Sequence, residues 1–161
     1  MPEGEISTDD PRAEDVRELL ERHLAYANAN TAREDVHALD ADSLLDPSVT
    51  FFSLRVDGEL LGVAALKRLD GRHAEIKSMH TAEEARGRGV GRAMVDHLIG
   101  VARDSGFRRL SLETGAGPAF AAARSLYAGA GFKPCGPFGH HGPSPNSAYM
   151  TLSLDGRGST P

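Results

Sequence analysis

The chain contains no tryptophan and a single cysteine, Cys135. One thiol can form no intramolecular disulfide, so the fold must rest on its core, and a lone thiol fits a reducing compartment. No apolar run comes near the roughly 18 residues that a membrane-spanning helix needs. Positive charge is not in excess either. The formal net charge is -5, so a basic face for a phosphate backbone, and with it a nucleic-acid partner, is not expected. The opening stretch, MPEGEISTDDPRAED, is acidic and has no apolar segment, which matches neither a signal nor a transit peptide. The expectation from these absences is a cytoplasmic protein with no membrane and no nucleic-acid partner.

What is present suits one globular domain. The chain has 161 residues, enough to bury a core without disulfides or metals. Residues 10–154 read as that domain, and the polar segments 1–9 and 155–161 read as frayed ends. Asp10-Pro11 has the form of a helix cap followed by proline. Val16, Leu19, Leu20, Leu24 and Ala27 then recur at helical spacing, which predicts a helix over 11–28. Residues 29–48 are ambiguous, with a short second helix near Asp35–Leu45. Two apolar runs at 50–56 and 59–69 flank Asp57-Gly58, a hairpin signal. HAEIKSMHT at 73–81 is a third strand.

The pattern then changes. A Gly-Arg loop precedes Val95, Leu98, Ile99 and Ala102 at helical spacing, and Gly106 stands where a helix stops. RRLSLET at 108–114 is a strand that a crossover helix sets parallel to 73–81. Pro118 opens a helix running to Gly129, and 131–138 and 148–154 are closing strands around a Pro/Gly/His-rich loop. The architecture expected is α+β, a mixed sheet that is antiparallel first and then contains a βαβ unit.

The loop Arg86-Gly87-Arg88-Gly89-Val90-Gly91, ending at Arg92, carries the chemistry. Glycines permit φ > 0 and close backbone approach, successive N–H groups form an anion nest, and the following helix adds the positive end of its dipole. These are the parts a pyrophosphate needs. Read alone, the loop is equally a glycine-rich turn with solvated arginines. The dinucleotide fingerprint fails because Arg92 stands where the third glycine belongs, and no Gly-Lys-Ser/Thr follows for a nucleoside-triphosphate loop.

Arg86-x-x-Gly89-x-Gly91 at a strand-to-helix junction resembles the GNAT N-acetyltransferase signature Gln/Arg-x-x-Gly-x-Gly/Ala. Ser125-Leu126-Tyr127-Ala128-Gly129-Ala130-Gly131-Phe132 resembles that family's Leu-Tyr-x-x-x-Gly-Phe segment. The element order agrees from about residue 10 to 154. The resemblance implies the GNAT acyl-CoA N-acyltransferase fold, a mixed sheet of about six to seven strands with flanking helices. It implies acetyl-CoA as cofactor and direct acetyl transfer to an amine. The main chain of Met79, His80 and Thr81 would pair with the pantetheine arm as an added strand, and residues 86–92 would hold the pyrophosphate. Tyr127 falls at the position that faces the CoA sulfur, where a phenol can protonate the leaving thiolate. One departure stands out: Phe120 occupies the place of an asparagine that contacts the cofactor in many members. The resemblance also admits a homodimer through the C-terminal strands.

Strand alternation puts His73, Glu75, Lys77 and Met79 on one face. Glu75 is the first candidate for the base that takes the amine's proton, with His73 and Glu113 as alternatives. A salt bridge between Glu75 and Lys77 is the competing reading. His23 and Tyr26 on the first helix either line an acceptor pocket or lie on its surface. No metal site is expected, since the adjacent His140 and His141 have no cluster of cysteines or acids beside them. The expected acceptor is a small-molecule amine. The alternatives are a protein or peptide amine, or an acyl-CoA sensor without turnover.

Overall fold

The computed structural model describes residues 5–30, 43–138 and 147–154. Its strands are β1 (Glu5–Thr8), β2 (Val49–Val56), β3 (Glu59–Arg68), β4 (His73–Thr81), β5 (Arg109–Gly115), β6 (Lys133–Cys135) and β7 (Ser147–Ser153). Its helices are α1 (Glu14–Asn30), α2 (Val90–Asp104) and α3 (Ala121–Gly129). Among the described residues the strands form one seven-stranded sheet in the order β1-β2-β3-β4-β5-β7-β6. The first four strands run antiparallel to their neighbours, β4 and β5 are parallel, and β7 inserts antiparallel between β5 and β6.

Local chemistry accounts for most of these elements. The β2–β3 hairpin closes through Asp57 (φ 52°) and Gly58 (φ 83°), the left-handed pair that a two-residue turn requires. Gly106 ends α2 at φ 89°, and the Phe107 N–H donates back to the Ala102 carbonyl. Both faces of β3 are buried, from Val63 through Leu66, so a layer must cover each. On one side α2 packs against β3, and a Cβ added to Gly62 would lie 2.8 Å from Val90 Cγ1. Phe52 on the same face meets His97 edge-on at 5.2 Å. On the other side α1, with Val16 and Leu19 fully buried, contacts β3 and β4.

Several sequence expectations are corrected. Residues 5–8 are not a frayed end: they add an edge strand, Glu5 to Thr8 opposite Arg55 to Phe52. Main-chain bonding recruits this polar segment, and Asp9 then anchors it by accepting from Ser53 Oγ at 2.5 Å and Arg55 Nε at 3.0 Å. Asp10 does not cap α1. Its carboxylate accepts from the Arg12 N–H at 2.9 Å, which makes a turn, and the helix begins at Glu14. β6 spans three residues rather than 131–138; beyond it Pro137 has no N–H for a ladder. The short helix expected near 35–45 falls mostly outside the described residues, and only a 3-10 turn at Ser43–Leu45 is seen. The segment 155–161 also lies outside them.

Candidate active site

The parallel pairing of β4 with β5 is short. It runs from His73 opposite Arg109 to Ile76 opposite Leu112 and stops. Beyond that point β4 continues to Thr81 beside β3, and β5 continues to Gly115 beside β7. The sheet therefore splits into two arms, and the cleft opens toward the C-terminal ends of two parallel strands. A bulge in β4 begins at the split. The β3–β4 register passes from Ala65 opposite Lys77 to Val63 opposite His80, so β4 carries one extra residue there. Ser78, within it, has φ 54°. Its Oγ is buried and has no hydrogen-bond partner among the described residues.

The bulge changes which side chains share a face. His73, Glu75 and Lys77 do share one, but the next residue there by register is His80, not the Met79 that simple alternation expects. Thr81 pairs with Gly62 and lies on the α2 side, 3.7 Å from where a Cβ on Gly91 would sit.

The Gly-Arg loop lies beside this cleft, leading from the end of β4 into α2. Gly87 (φ 79°) and Gly89 (φ 81°) both adopt the left-handed conformation. Gly89 is the N-cap of α2, and no side chain caps the helix. The first N–H groups of a helix have no acceptor within it, so Val90, Gly91 and Arg92 present donors at the positive end of the α2 dipole. Val90 and Gly91 thus belong to the helix, one turn earlier than the hydrophobic spacing indicates. Gly91 has a second role, because a Cβ there would press to 3.0 Å from Leu126 of α3. Arg86 and Arg88 are exposed, and Arg92 pairs with Asp96 at 3.0 Å.

A polar network occupies the other face of the split. Glu75 is 3% exposed, and Lys77 Nζ donates to its Oε2 at 3.3 Å. His73 Nε2 lies 2.7 Å from Ser111 Oγ, which lies 2.8 Å from Thr151 Oγ1. Burial lowers the His73 pKa, so the ring is neutral at neutral pH. Ser147 Oγ donates to Glu113 Oε2 at 2.6 Å. Phe138 stands between the His73 and Tyr149 rings at 5.5 and 6.0 Å. All three carboxylate and imidazole candidates from the sequence come to one face. Ser111 and Thr151 were not legible as part of it, because their roles arise from pairing across three strands.

Tyr127 is 6% exposed on α3, edge-on to Phe132 at 5.9 Å. Burial raises its pKa, so the phenol keeps its proton across the neutral range. Phe120 precedes α3 and lies over Gly115 so closely that a Cβ there would overlap its ring. Arg124 holds the same turn, donating to the Gly115 and Gly117 carbonyls at 2.6 and 2.9 Å. Phe120 is thus seated on the end of β5. The side chains of His23 and Tyr26, and the pair His140-His141, lie outside what is described. Among the described residues no helix is long and apolar enough to cross a membrane, and no group of three His, Cys, Asp or Glu is arranged for a metal ion.

Comparisons with known proteins agree with this geometry. The family model for Acetyltransferase (GNAT) family matches residues 13–132. The chain is 42% identical over 149 residues to "Uncharacterized N-acetyltransferase YsnE" of Bacillus subtilis (strain 168), covering 92% of this chain and 99% of that protein. It is 34% identical over 156 residues to an IAA acetyltransferase of Azospirillum brasilense, covering 96% and 100%. Its fold matches the crystal structure of a GNAT family acetyltransferase from Elizabethkingia anophelis with acetyl-CoA bound, with a TM-score of 0.70, 19% identity and coverage of 95% and 99%. The split sheet, the glycine-capped helix and these relatives lead to one conclusion: the chain belongs to the GNAT family of acetyltransferases.

Proposed function

We propose that the protein transfers an acetyl group from acetyl-CoA to the amine of a small molecule. The observation that carries this reading is the split between β4 and β5 with the uncapped start of α2 beside it. The residues present fit the cofactor. Main-chain N–H groups of Val90, Gly91 and Arg92 and the glycine turns at 87 and 89 would hold the pyrophosphate, with Arg86 and Arg88 at the rim. The backbone of Met79, His80 and Thr81 would pair with the pantetheine arm. Acetyl-CoA supplies an acetyl group on a good leaving thiol.

The chain's own groups supply the proton transfers. Tyr127 stays protonated because its phenol is buried, so it can donate to a departing thiolate. Glu75 is the base of choice, acting directly or through water on the incoming amine. Lys77 Nζ holds the Glu75 carboxylate in place at 3.3 Å. His73, kept neutral by burial, is the alternative, and Glu113 is a third. A small-molecule acceptor agrees with the name of the Azospirillum brasilense relative, an IAA acetyltransferase.

The test begins with binding. Saturating acetyl-CoA at about 100 times its dissociation constant stabilises a folded protein by about 2.7 kcal/mol, and for a domain of this size that raises Tm by about 5–10 °C. CoA should act similarly, and NAD or ATP less. Acetyl-CoA consumption is then screened over polyamines, amino acids, aminoglycosides and a histone-like peptide. No thermal shift with millimolar acetyl-CoA or CoA refutes the reading. Turnover confined to the peptide makes the acceptor a protein amine, and binding without turnover makes the protein a sensor.

A further inference from the structure

One polar side chain at the split has no role in the chemistry above. Among the described residues only two other than glycine have positive φ, Asp57 and Ser78. Asp57 is explained by its hairpin turn. Ser78 lies within a strand, where no turn demands that conformation, and an L residue there is strained. The same residue carries a buried hydroxyl oxygen with no hydrogen-bond partner, although buried polar groups in folded proteins are almost always bonded. Glycine would relieve both penalties at once. Two unfavourable features on one residue, at the bulge where β4 parts from β5, mark a site whose compensation comes from something bound.

The chemistry of the surroundings selects the bound atom. The reading above already assigns the incoming amine's proton to Glu75, His73 or Glu113. A hydroxyl's distinctive contribution is a donated hydrogen, and the acyl donor's arm presents carbonyl oxygens in its thioester and amides. We propose that Ser78 is a cofactor-contacting residue whose hydroxyl donates a hydrogen bond to a carbonyl oxygen of the acyl thioester or of the amide arm behind it. The bulge holds the serine in its left-handed conformation for this contact. The assignment rests on the acyl-CoA reading above and adds a side-chain contact to the main-chain contacts of Met79–Thr81.

The test uses Ser78→Ala and Ser78→Gly in the full chain. Melting is followed without ligand, and dissociation constants are measured for acetyl-CoA, CoA and 3'-phosphoadenosine diphosphate, which lacks the arm. Without ligand both variants should melt at or above the wild-type temperature, the glycine variant highest, because a strained, unbonded hydroxyl is lost. Acetyl-CoA should bind about three- to ten-fold more weakly to both, the range for one neutral hydrogen bond. The nucleotide fragment should bind as to wild type. An equal loss with CoA places the contact on an arm amide, and a loss confined to acetyl-CoA places it on the thioester carbonyl. Unchanged acetyl-CoA affinity in Ser78→Ala, or a lower melting temperature of both unliganded variants, overturns the assignment alone. A wild type that binds neither acetyl-CoA nor CoA overturns the acyl-CoA reading and the assignment with it.

Discussion

Gly62→Ala tests the contact that sets α2 against the sheet. The new Cβ would lie 2.8 Å from Val90 Cγ1 and 3.4 Å from the His80 carbonyl oxygen, with Met94 Cγ at 3.9 Å. Carbon atoms prefer about 3.5–4.0 Å, so the Val90 contact is short by about 1 Å. β3 cannot yield, since Leu61 and Val63 on either side are buried and Gly62 is paired to Thr81. The strain falls on Val90, the first residue of α2. Overpacking of this kind costs about 1–3 kcal/mol, equivalent to about 2–12 °C in Tm for a domain of this size. Urea unfolding followed by circular dichroism measures the loss. Val90→Ala removes the obstructing methyl groups, so the double variant should be more stable than the sum of the single losses implies, by more than about 0.5 kcal/mol. Because Val90 follows Gly89, the single variant should also weaken acetyl-CoA binding. Wild-type stability for Gly62→Ala, or losses that simply add, would refute the reasoning.

Three further outcomes follow from the site. Tyr127→Phe keeps the buried ring and removes the acid, so kcat should fall by about 10²–10⁴ with acetyl-CoA affinity little changed; a wild-type single-turnover rate would remove the tyrosine from that role. Gly89→Val places a β-branched residue at φ 81°, so the variant should retain its circular-dichroism spectrum while losing the acetyl-CoA thermal shift; retained CoA binding would move the pyrophosphate elsewhere. Burial holds the His97 pKa below its ordinary value, so the unfolded chain takes up the proton first as pH falls. The stability from neutral His97 is complete above about pH 6.5 and is lost as pH drops toward the depressed folded value. His97→Phe should flatten the fall in Tm below about pH 6.5, and an unchanged slope would assign that acid sensitivity to other groups.

Much of the fold was legible because its signals are local. Asp57-Gly58 forms the turn its backbone preferences favour, Gly106 stops α2, and the strand–helix–strand order makes β4 and β5 parallel. Gly87 and Gly89 take the positive φ that their place in the loop suggested. The family motif is local too, since its glycines serve the chain segment that contains them. Hydrophobic spacing alone put the start of α2 late, because Val90 and Gly91 are selected by contacts with Gly62 and Leu126 rather than by helical period.

The tertiary structure decided the rest. Nothing in the alternating HAEIKSMHT announces an extra residue, yet the bulge at Ser78 moves Met79 off the expected face and substitutes His80. It cannot be read from β4 alone because register belongs to a pair of strands, and one added residue reverses every side chain that follows. Recruitment of Glu5–Thr8 into the sheet, insertion of β7 between β5 and β6, and the His73–Ser111–Thr151 chain depend likewise on which segments meet. Sequence by itself determined most of the element types and the family, because backbone preference and periodicity act over a few neighbouring residues. Where β4 and β5 part, and which polar groups face that opening, was decided only when strands distant in the chain were brought into register.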